Sequence, residues 1–400
     1  MSGTAWLAAC STAAPPPAQH SLPATAAPAT GPPVARLGTM VTVSATDPAL
    51  PTTVPEAAPS APDLAALPPA QQAFAHELAS ERQLPLAAVV LALRQAQRND
   101  TVLRLMAPPA PPPGVQPRPR HWPGYRSRFV EPIRVRGGLA FWNEHATTLA
   151  EAEQRYGVPA AVIVAILGVE TVYGRNMGNF RVLDSLYTLA FHWPAHARRD
   201  RSAYFRSELA DYLAMTLSQG QTPGRLRGSF AGAIGMPQFM PGSIRRFAVT
   251  TTANPAPDLI GNPRDVIFSV ANYLREHGWE PDVPVFIAAT LPPQAGRLAD
   301  GGLTPTLSWQ QLDAAGIRPL ETPAAGLISG GVPPASRADH LKLGLIGLEQ
   351  ANGAIQYRLA SPNFFAITHY NRSYFYAAAV ADLAAELQAA RRDGRVSPPR

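Results

Sequence analysis

The sequence predicts an α+β protein in which helix predominates. Three observations carry this. Between about residues 67 and 281, and again after 356, apolar residues recur at helical spacing between N-capping and C-capping residues. The stretch Asp282 to Gln356 breaks that pattern, with one strand-like run and many glycines and prolines. Both ends of the chain are too poor in large apolar residues to form a core of their own.

The elements follow in order. Residues 1–62 form an Ala/Pro/Thr/Ser-rich tether. Residues 63–125 form an N-terminal helical subdomain, in which "PPAQQAFAHELASERQLPLAAVVLALRQAQ" gives two amphipathic helices broken at Pro85 and "MAPPAPPPGVQPRPR" an extended Pro-rich loop. A core spans 126–281. Its helices are "GGLAFWNEHATTLAEAEQRYG", closed by Gly157; "VPAAVIVAILGVE", with Pro159 in its first turn; "DSLYTLAFHW", with Asp184 as N-cap; "SAYFRSELADYLAMTLSQG", closed by Gly220; and "NPRDVIFSVANYLREHGW". Residues 282–356 form a small β-containing unit with a strand at "VPVFIAATL" and a short helix at "SWQQLDAAG". Helix returns in 357–390, and 391–400 is a disordered tail. No fixed-period repeat is present.

Composition narrows the partners. The formal charge is +6 and Lys342 is the one lysine among 34 basic residues, so the excess is arginine and favours an anionic partner. No basic run is interleaved with aromatics, which argues against nucleic acid. The single cysteine, Cys10, excludes an internal disulfide and a cysteine-built metal site. "WLAACS" around it resembles the lipobox of bacterial lipoproteins, which would make Cys10 a lipidated first residue and Ser11 an outer-membrane sorting signal. The apolar run before Cys10 is short and no Lys or Arg precedes Arg36. A start upstream of Met1 and a chance cysteine in an Ala-rich tail are therefore both open readings. No other stretch reaches the roughly 18–20 apolar residues that span a bilayer.

Three segments could carry chemistry. Glu170 ends an almost wholly apolar helix, where desolvation raises a carboxyl pKa and makes a general acid; a buried pair with Arg175 or Arg181 is the structural alternative. In "GSFAGAIGMPQFMPGSIRRFA", Gly228, Gly232 and Gly235 allow close backbone approach. Ser229, Gln238 and the Met and Phe residues around them could line a groove or simply pack helices. In "THYNRSYFYAAAV", Tyr370, Tyr374, Phe375 and Tyr376 beside Asn371 suit stacking on sugar faces, or a core.

Taken together with "GVETVYGRNMGNFRVLDSL", "DVIFSVANYLREHGW" and the upstream "FVEPIRVRGGLAFWNEHATTLAEAEQRYGVPAAVIVAILGVET", these segments resemble the membrane-bound lytic murein transglycosylase B family in order and spacing, over roughly Leu67 to Ala390. The resemblance implies a lysozyme-like catalytic core. It also implies non-hydrolytic cleavage of the MurNAc-β-1,4-GlcNAc bond of peptidoglycan, leaving a 1,6-anhydro end. Glu170 falls on the family's catalytic Glu and Tyr173 on the tyrosine of the same Glu-Thr-x-Tyr-Gly motif. Ser229, Gln238 and Phe239 fall on the groove motif, Tyr273 on that of "VANYL", and Tyr370, Asn371 and Tyr376 on the C-terminal aromatic motif. Of the arginines in "HWPAHARRDRSAYF", Arg201 is the preferred match to the family's substrate arginine, with Arg198 and Arg199 competing.

Some members carry an EF-hand-like calcium loop after "RRFAV". Here "TTTANPAPDL" has Asp258 as its one acid, so no metal and no cofactor is expected. Nor is a second catalytic carboxylate: Asp184 is read as a helix cap, and Glu208 and Asp211 as part of an exposed helix face. In this family's chemistry the substrate's acetamido group supplies the nucleophile. The implied setting is a monomeric periplasmic lipoprotein at the inner leaflet of the outer membrane, acting on glycan strands, with cell-wall synthesis proteins as candidate partners. The rivals are a hydrolytic muramidase on the same bond and a non-catalytic peptidoglycan-binding lipoprotein.

Overall fold

Helix α7 (Ala160–Thr171) is apolar on every side, and in a computed structural model of the chain every residue from Ala160 to Val169 is buried. The structure describes residues 63–108, 120–197, 199–320, 328–330 and 340–394. Around α7 pack α5 (Pro132–Glu144), α6 (Ala146–Tyr156), α11 (Pro263–Glu276) and the C-terminal helix Tyr374–Arg392, which turns an alanine-rich face, Ala377 to Ala381, into the core. Burying the six branched aliphatics between Val162 and Val169 contributes on the order of 10 kcal/mol. That margin lets α7 carry one partly desolvated carboxylate at its end.

Local chemistry sets the helix ends. The Asn99 side chain accepts from the Thr101 and Val102 amides at the start of α3 (Asp100–Met106), and Glu131 caps α5 ahead of Pro132. Gly157, at φ 68°, closes α6. α1 (Pro69–Arg82) and α2 (Leu86–Gln95) break at a left-handed Gln83 and at Pro85, as the sequence indicates.

The first three helices do not form a subdomain with its own core. Leu67, Phe74, Val89 and Val102 belong to the same apolar cluster as α7. They lie on α8 (Val182–Phe191) and α9 (Ser202–Ser218), and buried polar groups fasten them there. Asp184 is not the expected N-cap, because α8 starts at Val182 with Arg181 before it. Instead one Asp184 oxygen accepts from the Gln97 amide at 3.0 Å and the other pairs with Arg181 at 3.0 Å. The Thr188 hydroxyl takes the Asn99 amide at 2.9 Å, and Gln71 donates to the Tyr187 hydroxyl at 2.8 Å.

Glu208 and Asp211 correct a second expectation. Both lie on the buried face of α9. Asp211 binds Arg82 of α1 at 2.9 Å and Arg245 of α10 (Pro241–Phe247) at 2.8 Å. Glu208 accepts from the Gly242 amide at 2.8 Å, and its pKa is pushed up by burial against the opposing pull of that bond. Helical periodicity exposes this face on paper, but α1 and α10 cover it.

The β unit has a small core of its own, formed by Ile287, Ala295, Leu307, Leu312, Ile317, Leu343, Leu345 and Leu359. "VPVFIAATL" is two short strands, not one: β3 (Phe286–Ile287) and β4 (Ala289–Thr290) join different sheets. They are preceded in the chain by the paired strands β1 (Phe180–Arg181) and β2 (Arg227–Gly228), which lie beside the end of α7. β4 pairs with β5 (Arg318–Pro319). β3 lies between β6 (Ser329–Gly330), parallel to it, and β8 (Ile355–Ala360), antiparallel. β7 (Gly344–Glu349) pairs with β8 from Gly344↔Ala360 to Glu349↔Ile355. The expected helix forms as Trp309–Ala314, with Ser308 and Gln311 making a capping box. β8 runs past the expected boundary at 356, and that at 125/126 falls inside the short helix α4 (Trp122–Arg126). Among the described residues no single helix is long and apolar enough to cross a membrane.

Candidate active site

Glu170 occupies the last turn of α7, which stops at two left-handed residues in succession, Val172 (φ 52°) and Tyr173 (φ 59°). For a β-branched residue this conformation costs about 1–2 kcal/mol, so side chains must impose it. Two do. The Tyr173 hydroxyl donates to the Arg134 carbonyl at 2.8 Å, and its ring occupies a slot against Gly138, Gly168 and Phe141. Buried Thr171 donates to the Met236 carbonyl at 2.9 Å and accepts from the Gly174 amide at 3.0 Å. Tyr173, expected on the substrate side, is thus committed to the protein interior.

Thr171 ties Glu170 to the glycine-rich segment. A Cβ on Gly178 would meet the Gly228 carbonyl at 2.2 Å, so the chain after α7 lies directly against β2. Ser229 turns inward locally, its hydroxyl accepting from Ala231 and Ala233 amides. Gln238 is left-handed (φ 53°) and donates its amide to the Met177 carbonyl at 3.1 Å and the Gly235 carbonyl at 2.9 Å.

An aromatic wall stands opposite. Phe239 lies 5.2 Å from Tyr273 and 5.8 Å from Tyr370, and the latter two rings are 4.6 Å apart. Tyr273 donates to the His369 carbonyl at 2.8 Å. The Tyr370 hydroxyl is buried with no protein partner. Behind the wall His277 stacks on Tyr273 at 4.1 Å and lies 4.6 Å from His369, whose pKa burial lowers to about 4. Asn371 follows in the turn, where its carbonyl accepts from the Ser373 amide.

The centre of the arrangement is the Tyr376 hydroxyl, which donates to Glu170 Oε1 at 2.5 Å. Neither Arg175 nor Arg181 pairs with Glu170: Arg175 is exposed and Arg181 binds Asp184. Burial pushes the Glu170 pKa up to about 7, against the lowering effect of the Tyr376 bond. Its charge is felt by four phenols, Tyr125, Tyr273, Tyr370 and Tyr376. All have raised pKa values, burial being the largest cause, with Tyr125 at about 12, so they stay neutral, and Tyr376 is the one that donates to the carboxyl.

Tyr125 and His277 were not picked out from the sequence. Tyr125 had a signal, since Trp122, Tyr125 and Phe129 repeat at helical spacing. The Arg201 guanidinium lies 4.9 Å from the Tyr204 ring and 5.5 Å from that of Phe205. Arg199 is exposed, and Arg198 and Cys10 lie outside the described residues.

The segment after α10 does not fit a calcium loop. Asp265 of α11 accepts from the Thr251 amide at 2.8 Å, the Thr251 hydroxyl at 2.5 Å and the Asp258 amide at 2.9 Å. Asp258 in turn accepts from the Ile260 and Gly261 amides. Protein donors engage both Asp265 oxygens and one of Asp258, and the segment has no other acid to complete a calcium shell.

Fold and site together define an enzyme of the mostly helical, lysozyme-like class. Residues 67–385 match the family described as transglycosylase SLT domain. The chain is 40% identical over 302 residues to membrane-bound lytic murein transglycosylase B of Escherichia coli K12, covering 75% of this chain and 77% of that protein. The crystal structure of soluble lytic transglycosylase SltB1 from Pseudomonas aeruginosa matches with a TM-score of 0.69 at 36% identity, covering 82% of this chain and 100% of that one. SltB3 of the same organism, solved with NAG-NAM-pentapeptide, matches with a TM-score of 0.64 at 29% identity, covering 80% and 78%; it was also solved with NAG-anhNAM-pentapeptide. The chain belongs to the transglycosylase SLT family and is a lytic transglycosylase.

Proposed function

We propose that this enzyme cleaves the β-1,4 bond between N-acetylmuramic acid and N-acetylglucosamine in peptidoglycan with Glu170 as its one acid–base group. The observation that carries the reading is the isolation of Glu170. Asp184, Glu208 and Asp211 are each held by protein donors elsewhere, so none is placed to serve as the second carboxylate that retaining and inverting glycosidases use. A relative bound to NAG-NAM-pentapeptide and to NAG-anhNAM-pentapeptide supports the same substrate and an anhydro product for this chain.

The steps balance without water. Tyr376 holds Glu170 Oε1, leaving Oε2 to carry the proton. Protonated Glu170 delivers it to the glycosidic oxygen as the C1–O bond breaks, and the muramic 2-acetamido oxygen bonds to C1. Glu170, now a carboxylate, removes the C6 hydroxyl proton. O6 then displaces the acetamido oxygen from C1, and the 1,6-anhydro ring closes. A group that is acid first and base second works best with a pKa close to the working pH, and burial brings Glu170 to about 7. Half-buried Tyr370 offers a ring face to the sugars, with buried Phe239 and Tyr273 packed behind it. Gln238, whose NH2 is engaged by Met177 and Gly235, offers its side-chain oxygen, and Asn371 its side-chain amide.

Digestion of purified sacculi followed by mass spectrometry tests the reaction. Muropeptides carrying the anhydro mass are expected; hydrated reducing ends, as a muramidase would leave, overturn it. For location, we place the chain at the outer membrane through a lipidated Cys10, in keeping with a relative named as membrane-bound. A mature N-terminus without acyl groups at Cys10 removes that anchor.

A further inference from the structure

Tyr125 lies on α4, a helix of five residues, with its ring 5.5 Å from Phe375, the chain neighbour of Tyr376. So short a helix does not hold its own position, and what places it is tertiary. Two rings, Trp122 and Tyr125, lie 5.6 and 5.5 Å from Phe375. Ring contacts of this kind adhere without setting a unique register. The directional contact is ionic: Arg126 Nε lies 2.6 Å from Asp382 Oδ2 on the C-terminal helix. The other Asp382 oxygen takes Arg358 Nη1 of β8 at 2.6 Å, and Arg358 Nη2 lies 3.4 Å from Oδ2. The Arg358 guanidinium also covers the Trp122 ring at 5.5 Å and that of Phe286 in β3 at 5.1 Å. One carboxylate, only 14% exposed, thus joins α4, the helix that carries Tyr376, and the sheet of the β unit.

We propose that Asp382 is a positioning residue for the Glu170 chemistry, acting through Arg126 to hold α4 and its rings against the helix whose Tyr376 binds the carboxyl. Asp382 lies six residues beyond Tyr376, about 9 Å along the helix axis, and acts at a distance from the reacting atoms. The titratable groups that face Glu170 are the four phenols, Tyr125 on α4, Tyr273 on α11, Tyr370 in the turn before the C-terminal helix and Tyr376 upon it. All stay neutral, so the contribution the proposal assigns to the α4 rings is the exclusion of water from this end of the site. If α4 slips, water reaches the carboxyl and its proton is held less tightly.

The inference rests on Glu170 being the working acid, and its test keeps the two separable. The Glu170 titration midpoint is read by carboxyl-carbon NMR in the whole protein, without substrate, for wild type, Arg126→Met, Asp382→Asn and Asp382→Glu, alongside sacculus turnover against pH. The midpoint is expected to fall by about one pH unit in Arg126→Met and Asp382→Asn. Turnover at pH 7 falls about fivefold with it, and Asp382→Glu restores both. A lowered melting temperature with an unmoved midpoint makes the triad merely structural and overturns the proposal. Arg126 is 39% exposed, so its variant decides the matter even where Asp382→Asn fails to fold. Normal turnover by Glu170→Gln would instead overturn the reading of Glu170 itself.

Discussion

The Tyr376 hydroxyl stands 2.5 Å from Glu170 Oε1, joining residues 206 positions apart in the chain. This bond stabilises the carboxylate, while burial favours the protonated acid, and burial prevails. The balance places Glu170 where it can both give and take a proton near neutrality.

Replacing Glu170 with Gln should abolish sacculus turnover, by at least 100-fold, the usual contribution of a general acid. It should also stabilise the fold at alkaline pH. The folded-state pKa of Glu170 is raised above the ordinary 4.5, so its contribution to stability is full below about 4.5 and is lost as pH rises through about 7. Glu170→Gln removes that loss. Its unfolding free energy at pH 8 should exceed the wild-type value by about 2 kcal/mol, a figure discounted because part of the residue faces solvent. The two curves should converge below pH 4.5 in denaturant titrations at several pH values.

Tyr376→Phe removes a bond that lowers the Glu170 pKa. The fall in turnover on the alkaline side should therefore move to higher pH, by up to about one unit. Turnover at neutral pH should drop about tenfold as the carboxyl loses its fixed orientation. A pH–rate series on sacculi reads both, and a shift toward acid pH contradicts the assignment.

Asp211 binds Arg82 and Arg245 while itself almost wholly buried. Asp211→Asn leaves two arginines short of a counter-charge and should cost about 3 kcal/mol of stability. The loss should concentrate in α1, α2 and α10, where hydrogen exchange should rise before it rises in α7. Uniform protection would show that these helices do not depend on Asp211.

Asp265 organises the segment after α10 with protein donors. Added calcium should leave the melting temperature of the wild type unchanged. Asp265→Asn should lower it by several degrees, for a loss of about 2 kcal/mol. Thermal scans with calcium and with chelator check both.

Local patterns carried much of the fold. The α1–α2 break at Pro85, the closure of α6 at Gly157 and the burial of α7 each depend on residues next to one another in the chain. The hairpin of β7 and β8 also had a local sign, Asn352-Gly353, which would have carried the β unit on to Ala360. Glu170 stood out for the same reason, as one carboxylate at the end of an apolar run.

The misread acids had no such sign. Asp184, Glu208 and Asp211 fit a cap and an open face by periodicity, yet their partners Gln97, Gly242 and Arg82 lie 87, 34 and 129 residues away. Tyr173 had the same difficulty, because its inward turn depends on the Arg134 carbonyl and the Gly138, Gly168 and Phe141 slot.

By itself the sequence determined the central helix, several helix stops such as Gly157, and that one carboxylate would sit among apolar neighbours; the break of the helix before Gly157 into α5 and α6 was not legible in it. The tertiary structure alone decided which phenols enclose Glu170 and which other acids are held out of its reach. Helix ends and periodicity come from interactions a few residues apart. Desolvation and charge coupling depend on distance through space, which only the packed chain defines.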